Sequence, residues 1–452
     1  MGLQGLLLKK RRLSSFQIIL FGFLLVILFG ALLLTLSFAT RDGLGASFSD
    51  ALFTSTSAVC VTGLVIHDTA SYWSLFGQAV ILLLIQIGGM GVVTVAISIA
   101  IVSGKKIGLM QRSTMQEAIA APQVGGIVRL TGFVLKTTFA VELIGAAVMA
   151  PVFIRDFGAA KGTWYALFHS ISAFCNAGFD LMGLKAPFSS LTAYSANPVV
   201  SLTIPTLIVV GGIGFLTWDD IKTNRLHLSK YRMQSKVILS TTAALIILPA
   251  LYFYFVEFAA PVWADMPTGE RVLSSVFQSI TPRTAGFNTV DLTALSEPGQ
   301  ILLTILMLIG GSPGSTAGGM KTTTLAVLLF TAFAVFHKRD DTCCFGRRIA
   351  SETVKYAAVV SMMYLLLFLL GGFLISSMEG LPMLTCLFET ASAIGTVGLS
   401  LGITPGLGPA SRLILILLMY FGRVGGLTLI FAVLSGTKEN VSKLPQEKIT
   451  VG

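Results

Sequence analysis

CVTGL (60–64), CNAGF (175–179), RTAGF (283–287) and GTVGL (395–399) place a glycine in similar surroundings four times. These glycines, Gly63, Gly178, Gly286 and Gly398, lie 115, 108 and 112 residues apart. A phenylalanine (Phe53, Phe168, Phe277, Phe388) precedes them by 10, 10, 9 and 10 residues. No acid, base or nucleophile holds the same place in all four stretches, cysteine opening only the first two, so the chemistry they share is that of the backbone. A glycine tolerates conformations that turn carbonyl oxygens inward and adds no side chain to fill the space they enclose. Four such turns on one axis can replace the hydration shell of a cation.

The elements that must hold these turns are apolar. Of the 452 residues 54% are hydrophobic and only 12% charged, against about 25% charged in a soluble domain. Mean hydropathy is +0.84. Full-length apolar runs lie near 17–39, 78–103, 131–154, 196–217, 237–256, 298–335, 357–378 and 411–434. Four shorter segments precede the turns, at 48–58, 164–174, 272–280 and 383–393. Each is about half the length that crosses a bilayer. The predicted fold is an all-α polytopic membrane protein with four pseudo-repeats of helix, pore loop and helix around one central pore. The units span 16–104 with pore loop 48–66, 128–222 with loop 163–181, 235–337 with loop 271–289, and 353–436 with loop 382–401. The segments 1–15 and 437–452 flank them.

Basic residues accumulate on one side of these runs: Lys9 to Arg12, Lys105, Lys106, Lys222 to Lys236, Lys338 to Lys355, and Lys438 onward. By the positive-inside rule that side is cytoplasmic, both termini included, in the plasma membrane. The formal net charge of +10 is thereby explained without nucleic acid as a partner. The five cysteines, Cys60, Cys175, Cys343, Cys344 and Cys386, form neither a disulfide framework nor a zinc pattern. No intramembrane histidine motif or acid pair marks an enzyme, and no phosphate loop of the GxxxxGK[ST] kind is present.

The third unit's second run holds GGSPGSTAGGMKTTT (310–324). So much Gly, Ser, Thr and Pro cannot continue a helix. The run predicts helix, loop, helix, with a flexible loop below the turns acting as a gate and Lys321 in or near it. A packing kink is the other reading. Arg423, in YFGRVGG, is an intramembrane arginine expected to face the pore cavity and oppose leak. Glu142 is the other mid-span charge. Arg283 and Glu389 flank turns three and four and are expected to pair behind them. Asp68, Asp180 and Asp291 follow three turns, either concentrating cations at an outer mouth or as plain solvated loop residues. The glycine pairs of the second spans suit close helix packing.

Together AVCVTGL, AFCNAGF, TPRTAGFN, GTVGL, GGSPGSTAGGMKTTT and FGRVG make the chain resemble the Trk/Ktr/HKT superfamily of potassium transporters, most closely its Ktr branch. The resemblance covers nearly the full length. It implies a gated potassium-uptake subunit, with K+ as the transported ion, Na+ as an activator and no cofactor in this chain. It also implies a homodimer on a cytosolic nucleotide-binding ring of the RCK type. By motif, the filter carbonyls fall to Val61, Thr62, Gly63, Asn176, Ala177, Gly178, Thr284, Ala285, Gly286, Thr396, Val397 and Gly398. The gate falls at 310–322, with Gly310, Gly311, Ser312, Gly314, Ser315, Thr316, Ala317, Gly318, Gly319 and Lys321, and the pore charge at Arg423. Val61 departs from the Asn or Thr found at that place in other turns. Relatives favouring sodium carry serine where this chain has Gly63, which points to potassium. Obligatory Na+/K+ symport is the alternative.

Overall fold

The computed structural model describes residues 14–103, 108–119 and 125–426, with 428, 445 and 447. The expected cytoplasmic N-terminal segment (save 14 and 15), most of the C-terminal tail and the end of the last span lie outside the described residues.

Four long helices open the four units: Ser15–Leu34, Ile127–Phe157, Met233–Phe255 and Ser351–Glu379. At 1.5 Å per residue even the shortest, of 20 residues, reaches about 30 Å, the thickness of a hydrocarbon core. The first begins at a capping box in which Ser14 and Gln17 exchange hydrogen bonds. Their outward faces carry exposed leucine and phenylalanine, such as Leu25, Phe29, Leu366 and Phe373, as a lipid-facing surface does.

Inside them lie four half-helices: Phe48–Val59, Ala159–Phe174, Thr268–Ile280 and Met383–Gly395. The four phenylalanines are fully buried on them. Four inner helices follow: Leu75–Met90, Pro198–Gly212, Glu297–Leu308 and Pro409–Val424. The first three start on side-chain caps from Ser74, Asn197 and Ser296; Pro409 starts the fourth.

The inner helices correct the sequence reading. Runs 78–103 and 196–217 are full-length and apolar in the sequence, but neither is a single straight helix. Instead the chain bends by 98° between Leu75–Met90 and Val92–Ile99, and by 95° between Pro198–Gly212 and Phe215–Asn224. The hinges are Gly91 (φ 85°) and Gly214 (φ 89°), with Gly425 (φ 87°) at the matching place in the fourth unit. A residue at such φ cannot propagate a right-handed helix, and glycine alone adopts it at little cost. The third unit breaks at the same level with its loop 310–321, before Thr322–Phe336. A two-residue ladder, Cys343–Cys344 with Arg347–Arg348, is the one β hairpin among the described residues.

The last unit closes on the first. Arg412 Nη1 lies 2.9 Å from Asp50 Oδ1, and Tyr420 Oη donates to Leu20 O at 2.7 Å. The units thus form a ring of four pseudo-repeats.

Candidate functional site

Each half-helix ends in a turn of alternating backbone hand. The residue two before the glycine has positive φ: Val61 51°, Asn176 57°, Thr284 66°, Thr396 52°. So does the glycine, at 88°, 70°, 80° and 97° in the same order. A left-handed conformation costs an L-residue about 1–2 kcal/mol, so the surroundings must hold these turns. Hydroxyls do part of this. Gly63 N donates to Ser57 Oγ (3.0 Å) and Gly398 N to Ser392 Oγ (2.9 Å). Ser172 Oγ donates to Phe179 O (2.7 Å), and Thr281 Oγ1 to Phe287 O. Sequence reading missed these four residues. Their signal was a serine six residues before the glycine in three of the four turns.

The four turns meet. A Cβ on Gly63 would overlap Ala177 O, one on Gly178 would overlap Ala285 O, one on Gly286 would overlap Val397 O, and one on Gly398 would overlap Thr62 O. Each glycine therefore abuts the carbonyl that precedes the next glycine, and the circuit closes in chain order. All twelve residues assigned by motif lie in these four turns; eleven are buried and Gly398 is half-buried. Asn176 Nδ2 ties turn two to turn three through Arg283 O (3.4 Å) and Thr284 Oγ1 (3.3 Å).

Above the ring is a cavity of about 410 Å³, lined by Gly63, Gly178, Gly286 and Gly398 with Asp68 and Asp180. Asp68 also accepts from Ala70 N, Ser71 N and Phe188 N. Asp180 accepts from Met182 N, and burial pushes its carboxyl up to about 7. Asp291 stands apart, capping a short helical turn at Thr293.

Below the ring lies the loop. Its neck is closed by Gly310 N to Met320 O (2.7 Å) and Thr322 N to Gly311 O (3.1 Å). Ser312 N and Thr316 N donate to Gly212 O and Gly211 O, and Phe215 N to Gly314 O. Ser315 Oγ bonds Ser312 O. Thr316 Oγ1 reaches Phe174 O and Asn176 Oδ1, both at 3.0 Å. A Cβ on Gly318 would overlap Thr396 Oγ1. The loop, expected to be flexible, is thus bonded to its neighbours along its length. Lys321 Nζ bonds its own loop, at Ala317 O (2.8 Å) and Gly318 O (3.2 Å).

Arg423 reaches across. It donates to Thr316 O of the loop and to Gly88 O and Gly89 O (3.1 Å to the latter) of the first inner helix. With Lys321 it lines an inner cavity of about 310 Å³, to which Glu117 adds a carboxylate. Glu117 belongs to the helix Leu109–Ile119 between the first two units. Its polar, basic setting gave the sequence no reason to place it beneath the axis.

Glu142 lies between units one and two: Gln86 Nε2 is 3.4 Å from its carboxylate, and Ser170 Oγ donates to its carbonyl at 2.6 Å. The expected Arg283–Glu389 pair does not form. Arg283 Nη2 donates to Thr242 Oγ1 (3.3 Å), and Glu389 accepts from Ser400 and Thr404. Each bonds hydroxyls of its own unit instead. Among the described residues no group of three or more His, Cys, Asp or Glu could hold a metal.

Fold and ring together define a multi-span membrane protein built around a backbone-lined axis. Residues 11–443 match the family model TrkH, described as a cation transport protein, and the chain belongs to that family. It is 41% identical over 449 residues to the potassium/sodium uptake protein NtpJ of Enterococcus hirae, covering 98% of each chain. It is 37% identical to the Ktr system potassium uptake protein B of Bacillus subtilis, covering 98% of this chain and 97% of that one. These relatives are named as uptake proteins, not enzymes. The potassium transporter TrkH of Vibrio parahaemolyticus shares the fold, with a TM-score of 0.70 at 21% identity over 93% of this chain and 86% of that one.

Proposed function

We propose that this chain is the potassium-translocating subunit of a gated uptake system. The observation that carries the reading is the closed circuit in which each turn glycine abuts the next turn's carbonyl. A ring of carbonyls replaces a cation's water without adding a formal charge that would trap it. The ring's glycines leave no side chain on the axis. Asp68 and Asp180 enrich cations in the outer cavity. The loop 310–321 lies between ring and inner cavity as the gate, and Arg423 bonds it to the first unit. Membrane potential drives the flow: 100 mV is worth about 2.3 kcal/mol per charge, roughly a 50-fold accumulation.

The basic side of the molecule, with both termini, faces the cytoplasm. A sodium activator, a homodimer and a nucleotide-binding cytosolic ring belong to the proposal through the family resemblance. A relative named for a Ktr system supports a multi-subunit assembly.

The test is rubidium uptake into liposomes holding the purified chain, wild type beside Gly63→Ser. The new Cβ would overlap Ala177 O at a φ of 88°, so the ring must shift. Wild type is expected to exclude sodium at least ten-fold better than the variant (about 1.4 kcal/mol). Equal ion preference in both proteins would sink the assignment.

A further inference from the structure

A side cavity of about 500 Å³ lies away from the axis. It opens between the first turns of Ile127–Phe157 and the short helix Phe215–Asn224 that follows the Gly214 hinge. Arg129, Lys222 and Arg232 line it with one carboxylate, Asp219. Arg232 is already engaged, 3.0 Å from Asp219 and 3.4 Å from Asp220. Arg129 and Lys222 have no carboxylate within ion-pair distance among the described residues. Lys222 Nζ is held 4.4 Å over the ring of Phe133. Phe133 lies one turn beyond Arg129, so the two share a helix face. Ile127, Leu130 and Leu216 add an apolar strip to the wall, beside Thr223 and the backbone of Gly125 and Gly126.

Two cations without a carboxylate partner, in a polar cavity that carries an apolar strip at the end of a spanning helix, suit a ligand that is anionic at one end and greasy at the other. Basic pockets at the cytoplasmic ends of spanning helices hold such headgroups. The uncapped first-turn amides of Ile127–Phe157 add positive field at the same place, but the two side chains carry the assignment. We infer that this cavity binds a phosphate group, that of an anionic lipid headgroup, with Arg129 and Lys222 as its ligands. The inference rests on the membrane orientation proposed above, not on the ion pathway.

The test titrates fluorescent phosphatidylglycerol into the purified full chain in neutral detergent. Unlabelled phosphatidylglycerol, phosphatidylcholine and inorganic phosphate serve as competitors. Each surface cation contributes about five-fold in affinity. Arg129→Ala and Lys222→Met are each expected to weaken binding about five-fold, and the double variant roughly 25-fold. Lys222→Met keeps the packing over Phe133, and the single variants report if the double variant does not fold. Lys236→Ala, a basic residue outside the cavity, is expected to change nothing. Competition by phosphatidylglycerol alone supports the lipid source. Competition by inorganic phosphate, lost in the same variants, keeps the phosphate site and overturns the lipid source. Equal binding by wild type and the double variant, or equal loss in Lys236→Ala, overturns the site itself. Because binding is read without transport, a failed ion-selectivity test leaves this result standing, and the reverse.

Discussion

Asp180 lies at the edge of the outer cavity beside Asp68, and burial holds its carboxyl near 7 instead of the usual carboxylate range. Burial disfavours the charged form, so the group is neutral below that value and carries a full negative charge above it. A unit charge about 4 Å from a cation is worth about 1 kcal/mol in water, or roughly five-fold in local concentration. Rubidium uptake at subsaturating concentration is therefore expected to rise a few-fold between about pH 6 and about pH 8. Asp180→Asn is expected to hold it at the low value throughout. A variant that keeps the wild-type pH profile would remove Asp180 from ion entry. Asp180 was legible in the sequence because it follows a turn by two residues. Asp291 follows its turn too, yet caps a short helix outside the cavity. Position along the chain fixed how near each acid is to a turn, but not which way its loop folds. Val61 shows the same limit. Its carbonyl was the expected contributor, but its left-handed φ of 51°, unfavourable for a β-branched residue, could not be read from its type.

At the scale of elements, the inner helices carry the mechanism. They stop at one level, at Gly91, Gly214, the loop 310–321 and Gly425. The loop was visible in advance because Gly, Ser and Pro crowd it. The glycine hinges were not, since apolar runs continue across them and a single glycine is tolerated in a membrane helix. Glycines just before the hinges pack as expected. A Cβ on Gly88, Gly211 or Gly422 would overlap Val59 O, Phe174 O or Ile394 O at the end of a half-helix. Inner helices and turns are thus locked together, and the loop is hydrogen-bonded between them, through Ser312 and Thr316 to the second inner helix and through Gly319 to the fourth. Arg423 joins it to the first inner helix through three carbonyls. Arg423→Ala is expected to raise uptake in liposomes holding the chain alone by ten-fold or more, as three charge-assisted bonds of about 1.5 kcal/mol or more each are lost. Arg423→Lys keeps the charge but not the planar fork. It is expected to leak nearly as much; wild-type behaviour would mean that charge alone, not the tie to Thr316, restrains the pathway. Lys321→Met breaks only bonds within the loop and is expected to leak least.

Over the whole molecule, fourfold repetition was legible because the same glycine turn recurs at near-constant spacing. The closing seam was not: Asp50 and Arg412 are 362 residues apart, and neither stands out among its neighbours. The ring has a direction across the membrane, and one native residue can report it. Cys343 lies exposed on the hairpin between the third and fourth units, while Cys60, Cys175, Cys344 and Cys386 are buried. Arg347 and Arg348 form the opposite strand of that hairpin, on the side the positive-inside rule assigns to the cytoplasm. A membrane-impermeant maleimide is therefore expected to leave the protein unlabelled in intact cells. It should attach about one label per chain in inside-out vesicles, and none there in Cys343→Ser. The native background requires no cysteine-free variant, because the four buried thiols are shielded by the fold. Labelling of Cys343 from outside intact cells would invert the molecule. The cavity holding Asp68 and Asp180 would then be the exit, and the loop tied by Arg423 would meet the incoming ion first.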